Sequence, residues 1–233
     1  MTGVQTCALP IWYDETTLLG IKKSIGDRLF AALYQGHPTP MEGAILRRNW
    51  WKRWTQLPEN TELKQSWDTT IKEDGSSYVV GQVWARDGAN KYLIDQVRGK
   101  WGMTELLTKF RQLSAKHPRA YRKEIEAKAN GPAIENLLKK EISGIVLVEP
   151  KGGKEVRAIS VEPQLQAGNL FIPQDEVMYP WVTGFIEECA AFPNSENDDQ
   201  VDAMTQAIAN WAGGTLAFGG KERKKPHNIG GLK

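Results

Sequence analysis

Apolar and polar positions alternate along three stretches of the first half of the chain and follow a helical period along much of the rest. Residues 62–70, ELKQSWDTT, read as an extended run, residues 77–83, SYVVGQV, as a second strand and residues 91–97, KYLIDQV, as a third. Asp74-Gly75 and Asp87-Gly88, each flanked by β-branched or aromatic residues, supply the turn signals, so the three runs predict an antiparallel meander. Its first strand ends by placing one carboxylate, Asp68, before a polar hairpin. Apolar residues at 103, 106, 107, 110 and 113 then predict an amphipathic helix over 103–116, ended by His117-Pro118. Residues 121–127, YRKEIEA, form a short alternating strand, and Asn130-Gly131-Pro132 opens a helix running through Lys140 that buries Ile134, Leu137 and Leu138. GIVLV at 144–148 is a continuous apolar run, the sign of a strand covered on both faces. A helix over 156–164, a short strand over 169–172 and an amphipathic helix over 177–189, with Val182, Phe185, Ile186 and Cys189 inward, come next. The last element is a helix over 198–211 with Val201, Met204, Ile208 and Trp211 as its buried stripe. Three antiparallel strands followed by alternating helix and strand predict an α/β fold: a mixed sheet with helices on its faces.

Ahead of the meander, Leu18, Leu19, Ile21, Ile25, Leu29, Phe30, Leu33 and Tyr34 lie close to helical spacing and predict one or two short helices. Gly36, Pro38, Pro40 and Gly43 interrupt the pattern and make residues 36–44 a linker or turn. The cluster Arg47, Arg48, Trp50, Trp51, Lys52, Arg53, Trp54 mixes cations with large aromatics. Such a cluster suits either a grip on nucleic acid or a protein face on which arginines stack against tryptophans. The first eleven residues, MTGVQTCALPI, resemble the in-frame translation of a sequencing-library adapter and are set apart from fold reasoning, with native sequence expected from Trp12 onward.

Composition narrows the picture only slightly. A chain of 233 residues, 40% of them hydrophobic, fills one substantial core. Thirty basic against 28 acidic residues give a net charge of +2, too small to imply a polyanionic partner without knowing how the charges are arranged. Cys7 and Cys189 are far apart and fit neither a disulfide framework nor a zinc site, which suits a reducing compartment. Nothing approaches the ~18 consecutive apolar residues of a membrane span, and no secretory signal opens the chain, so a membrane partner is not expected. No phosphate-cradling G-x-x-x-x-G-K-[ST] stretch is present, so ATP hydrolysis is not expected of these residues. His37, His117 and His227 stand at no catalytic spacing.

Candidate chemistry rests on acids at element ends. Asn197, Asp198 and Asp199 sit at the capping positions of the last helix, and Asp202 lies one turn further on nearly the same face. Acids there are favoured by capping and by the helix dipole alone, and Glu126 equally suits a solvated strand end. A mixed sheet nevertheless allows the strands carrying Asp68 and Glu126 to lie side by side and parallel, with the first turn of the last helix beside them. Carboxylates so crowded repel unless hard cations neutralise them, and oxygen-only ligands favour Mg2+ or Mn2+. Two such ions would activate water against a phosphodiester.

Residues 32–46 (ALYQGHPTPMEGAIL), 66–70 (SWDTT), 125–134 (IEAKANGPAI), 153–158 (GKEVRA), 165–173 (LQAGNLFIP) and 191–203 (AFPNSENDDQVDA) occur in the collinear order of one family. Together they resemble the C-terminal nuclease domain of the large terminase subunit of tailed bacteriophages and prophages. The resemblance implies a ribonuclease-H-like fold, two divalent ions, and cleavage of concatemeric viral double-stranded DNA during packaging in the cytoplasm of the bacterial host. It implies the portal, the small terminase subunit and an ATPase motor domain as partners. Carried over residue by residue, it makes Asp68 the first-strand metal ligand, Glu126 the acid of the fourth strand, and Asp198 with Asp199 the paired acids opening the last helix, with Asp202 a weaker ligand. Where the family often has an acid after the Glu126 position, this chain has Ala127. Glu124, in a strand interior, leaves the register of that strand open and is an outside candidate. Lys128, Lys154 and Arg157 would face the DNA backbone by the same analogy, or serve as plain surface cations. Residues 12–60 would then be a motor-domain remnant and linker, 61–213 the nuclease domain and 214–233 a basic tail, KERKK, able to add salt-sensitive DNA affinity. A noncatalytic DNA- or portal-docking module, or another nuclease of this fold such as a junction resolvase, remain as alternatives.

Overall fold

The computed structural model describes residues 13–34, 36, 45–71, 77–128 and 130–212. The adapter-like start with Cys7, most of the linker with His37, the Asp74-Gly75 turn, and the basic tail with His227 lie outside the described residues. Among the described residues, seven strands make one mixed sheet. They are β1 (Lys52–Trp54), β2 (Glu62–Asp68), β3 (Val79–Asp87), β4 (Asn90–Gly99), β5 (Ala120–Glu126), β6 (Ile145–Val148) and β7 (Leu170–Pro173), in the spatial order β1-β7-β4-β3-β2-β5-β6. The meander β2-β3-β4 is antiparallel, and every other pairing in the sheet is parallel.

Local chemistry sets the meander. At its second turn Asp87 pairs with Asn90, and Gly88 takes the left-handed φ of 56° that so tight a reversal requires. Inside it, Gly81 lies opposite Trp67, and a Cβ there would stand 2.5 Å from the indole ring. The missing side chain lets Trp67 lie flat over β3 and stack on Phe110, 4.6 Å between ring centroids.

Helices cover both faces. On one, α2 (Met103–Lys116) and α3 (Gly131–Leu138) bury Leu106, Phe110, Leu113, Ile134 and Leu138 against Trp67, Val83 and Ile125. On the other, α4 (Lys154–Gln166), α5 (Trp181–Ala191) and α6 (Asp199–Ala212) cover Trp84, Leu93, Leu170 and Ile172. The stripe Val201, Met204, Ile208 and Trp211 of α6 is buried there as its spacing predicts, and so are Val182, Phe185, Ile186 and Cys189 of α5. The expected helical region near the start is α1 (Glu15–Tyr34), two helical pieces joined at Gly26, whose φ of 82° bends it beside Pro163 and Gln166 of α4.

Two expectations are revised. The apolar run GIVLV does not mark a strand buried on both faces: β6 is a sheet edge, paired only with β5, and all four of its residues are half-buried. The helix expected from Val177 begins at Trp181, because Asp175 Oδ1 accepts from the backbone N–H of Val177 and of Met178 and holds a turn there instead. The cationic and aromatic cluster, for which two readings stood open, stacks Arg47 over Trp50 at 4.9 Å, while Arg47, Arg48, Lys52 and Arg53 stay exposed. Its residues Lys52–Trp54 form an edge strand parallel to β7, Trp51 is buried against Phe185, Arg48 pairs with Glu187, and Arg53 binds Glu176 and the carbonyl of Pro173.

Candidate active site

Strands β2 and β5 are adjacent and parallel, with Ser66 opposite Glu124 and Trp67 opposite Ile125. Their last residues, Asp68 and Glu126, therefore emerge at the same end of the sheet. That register answers the question raised by Glu124, which is fully buried two residues short of the strand end and held by Lys64 at 3.2 Å and Arg122 at 2.6 Å. Lys64 is itself buried, 4.3 Å above the Trp211 ring, and loss of hydration lowers its pKa to about 8. Glu124 thus pins β5 to β2 while Glu126 reaches the cleft.

The segment after β5 is shaped by contact with Asp68's own loop. Asn130 donates its side-chain amide to the carbonyl of Thr69, 3.1 Å away, and Gly131 starts α3 so close to the end of β5 that a Cβ would lie 2.0 Å from the Glu126 carbonyl oxygen. Asn-Gly-Pro after the strand is therefore a packing requirement that keeps the Asp68 and Glu126 ends together.

Helix α6 brings the remaining acids. Asp199, Asp202, Gln206 and Ala209 recur at helical spacing on the stripe that faces the strand ends. Gln206 donates to Ser66 Oγ at 2.9 Å and reaches the Glu124 carbonyl at 3.3 Å, while Ser66 donates to the Ala203 carbonyl at 2.7 Å. At its start, the Gln200 backbone N–H donates to Glu188 Oε1 at 2.7 Å. Buried amides continue inward from there: Gln200, Gln96 of β4 and Gln82 of β3 are linked at 2.7 and 2.8 Å. Arg98 closes the system on Glu188 at 2.9 Å.

Asp68, Glu126 and Asp202 line one cleft of about 260 Å³, together with Glu149, Lys151, Arg157, Ser160 and Gln206. Asp68 is 6% exposed, and Thr70 donates both its N–H and its hydroxyl to Oδ1 at 3.1 and 2.9 Å. Burial first, and then the charge of Asp202, push its carboxyl up to about 7, with Asp199 adding to the rise and Thr70 opposing it. Asp199 is also raised, by burial and by the charge of Asp198. Asp202 pairs with Arg157 at 2.5 Å and with Lys154 at 2.8 Å; Lys154 also reaches Asp198 at 2.6 Å. Burial disfavours the Lys154 ammonium, but its bonds to Asp198 and Asp202 outweigh this and hold its pKa above the ordinary lysine value.

The structure thus gathers Asp68, Glu126 and Asp202 around the cleft, and places Asp199 near enough to act on Asp68 by its charge. Asp198 is turned to Lys154, and Lys128 is exposed in the turn after β5. Lys154 and Arg157 are on the acids. Gln206, Ser160 and Glu188 were not anticipated. For Gln206 a signal existed, the four-residue step from Asp202. For Glu188, eleven residues before α6 in sequence, none did. As arranged, no three of the described His, Cys, Asp or Glu residues stand close enough together to hold a metal ion, and Asp202 has both oxygens on Lys154 and Arg157. The acids that line the cleft nonetheless offer only oxygen donors, a set whose chemistry fits hard divalent cations.

A mixed sheet with an antiparallel meander leading into parallel strands, and acids at the ends of two adjacent parallel strands and on the helix beside them, defines the ribonuclease-H-like class. Within that class, the family model described as the terminase RNaseH-like domain matches residues 65–210, and the chain belongs to that family. Among solved structures it is similar to a large terminase from a thermophilic bacteriophage, with 11% identity, a TM-score of 0.64, and coverage of 86% of this chain and 53% of that one. The chain therefore spans about half the length of that terminase. The large terminase nuclease of another thermophilic phage, G20c, is similar at 13% identity and a TM-score of 0.52, covering 72% of this chain and 98% of that one. The same nuclease with bound magnesium gives 13% identity, a TM-score of 0.55, and coverage of 73% and 98%. No curated protein sequence matches the chain. No helix among the described residues is long and apolar enough to cross a membrane.

Proposed function

We propose that this domain is the metal-dependent endonuclease of a large terminase subunit, cutting concatemeric double-stranded viral DNA during packaging in the host cytoplasm. One observation carries the reading: Asp68 and Glu126, at the ends of two adjacent parallel strands, and Asp202 of α6 converge on one cleft. Family membership supports it, as does the magnesium-bound form of the G20c nuclease. Asp68, Glu126 and Asp202 would hold two ions, Mg2+ or Mn2+, with Asp199 and Asp198 completing the acidic wall. When bound, such ions supply an activated water and neutralise the charge that develops on the leaving oxygen. Of the chain's own groups, Thr70 orients Asp68, Gln206 holds the two strand ends to α6, and the packing of Gly131 on Glu126 keeps that carboxylate at the rim. Ser160, a hydroxyl on the cleft wall, donates to the Arg157 carbonyl at 2.6 Å, and the attack is assigned to water. Lys128, Lys154, Arg157 and Lys151 would contact phosphates, which fixes the duplex without reading its bases. The portal, the small subunit and an ATPase motor would be its partners in the packaging assembly.

The decisive experiment is plasmid nicking with Mg2+, Mn2+ or chelator, run on the protein and on Asp68→Ala and Glu126→Ala. Nicking and linearisation that need metal and vanish in both variants are expected. A folded protein that fails to cut with either metal would sink the proposal and favour a noncatalytic DNA- or portal-docking module. A strong preference for branched over linear duplex would favour a junction resolvase.

A further inference from the structure

We infer that Lys154 and Arg157 exchange partners during function: they neutralise Asp198 and Asp202 until divalent ions enter the cleft, then pass to the phosphates of the DNA, coupling metal binding to DNA binding. This rests on the nuclease reading above and extends it.

Both cations lie in the first turn of α4, three residues apart and thus on one side of the helix. They occupy opposite oxygens of the same carboxylate, Arg157 on Asp202 Oδ1 and Lys154 on Asp202 Oδ2. A divalent cation that binds Asp202 approaches the same two oxygens and repels the ammonium and guanidinium already on them, which favours their departure. Burial makes the exchange a true competition. Asp202 is 7% exposed, and a carboxylate in that position is unfavourable without a positive partner, so side-chain cations or metal ions must supply one.

The released groups have somewhere to go. Arg157 already lines the cleft, and its second amino group donates to the Gly152 carbonyl at 3.2 Å, a tether that would keep the guanidinium at the rim after it leaves Asp202. Lys154 is half-exposed. A planar guanidinium with free donors suits the paired oxygens of a phosphate, and an ammonium on a flexible stem suits a neighbouring one. Two formal charges now cancelled by acids would therefore become available to a polyanion only with metal bound.

The consequence has a sign opposite to ordinary salt behaviour. Divalent ions compete with a protein's cations for phosphates and normally weaken DNA binding. Partner exchange makes them strengthen it, and by linkage DNA must raise metal affinity by the same factor. The test measures binding of a labelled linear duplex by fluorescence anisotropy at fixed ionic strength, with chelator or with Ca2+, the duplex being checked on a gel for integrity. It also measures Ca2+ and Mg2+ affinity by calorimetry without DNA. The unmodified protein should bind DNA several-fold more tightly with Ca2+. In Lys154→Gln/Arg157→Gln, whose fold is checked by circular dichroism, metal affinity without DNA should rise several-fold and the metal dependence of DNA binding should vanish. DNA affinity that is unchanged or weakened by Ca2+ in the unmodified protein overturns the inference, as does a variant that binds metal no more tightly. If metal binds and plasmid is nicked while DNA affinity stays flat, only the exchange fails; if no metal binds, the nuclease reading falls with it.

Discussion

Replacing Asp68 by asparagine should make the metal-free protein more stable while removing its response to metal. Asp68 is 6% exposed and has a pKa of about 7 against an ordinary 3.8, so folding forces an ionised carboxylate into a site that disfavours it. The sign follows from proton counting. Between pH 3.8 and about 7 the folded state binds the proton and the unfolded state has lost it, so stability falls as pH rises through this window. Below it both states are protonated and nothing is lost; above it the penalty is complete, roughly 4 kcal/mol from the size of the shift, taken as an upper bound. Asparagine keeps the oxygen that accepts from Thr70 and carries no charge. In urea denaturation with chelator, Asp68→Asn should gain on the unmodified protein by up to about 4 kcal/mol at pH 8, and by only about half a kcal/mol at pH 4. With Mg2+ the order should reverse, because metal stabilises only a protein that can bind it. An advantage for Asp68→Asn that does not change between pH 4 and pH 8, or no advantage at all, would refute the assignment of Asp68 as a carboxylate strained by burial and like charge.

Glu124→Ala should lower stability by about 3–5 kcal/mol, since it strands the buried Lys64 without its partner. Replacing both, as Lys64→Met with Glu124→Leu, should cost less than the single change; an equal or larger loss would show that the pair itself is the source of stability. Gly131→Ala drives a Cβ into the Glu126 carbonyl oxygen and should cost at least about 1–3 kcal/mol in thermal or urea unfolding. Nicking by Gly131→Ala at a temperature where it is folded should be slower still, and an unimpaired rate would mean that the Glu126 end tolerates displacement. Chelator should lower the melting temperature of the unmodified protein pre-loaded with Mg2+ and leave Asp68→Asn unmoved in the same scan.

Elements whose packing is decided within one stretch of chain were legible from sequence. The helical spacing of Val201, Met204, Ile208 and Trp211 places α6 correctly, and the alternation in ELKQSWD ends β2 on Asp68. The relation between elements was less so. Acids at 198, 199 and 202 obey one capping logic in sequence. Only the rotation of α6 on the sheet turns Asp202 into the cleft and Asp198 out to Lys154. That Lys154 and Arg157 meet Asp198 and Asp202 was not legible, because an isolated cation carries no mark of the acid, some 45 residues away, that it meets in the fold. The short β1 escaped notice because three residues dominated by cations and tryptophan show no alternation, and its strand character depends on β7 lying beside it.

The buried amides between the sheet and α6 have a direction. Trp84 Nε1 donates to Gln82, Gln82 to Gln96, Gln96 to Gln200, and Gln200 to Glu188, every step running the same way. An indole can only donate and a carboxylate can only accept, so the two ends dictate how each amide between them must face. A glutamine alone could turn over at little cost; here turning one sets two donors or two acceptors against each other at both of its neighbours. The series therefore works as a keyed lock, accepting α6 in a single register. A slip of that helix by one residue would swing Asp202 away from Asp68 and break the polarity of the whole series at once.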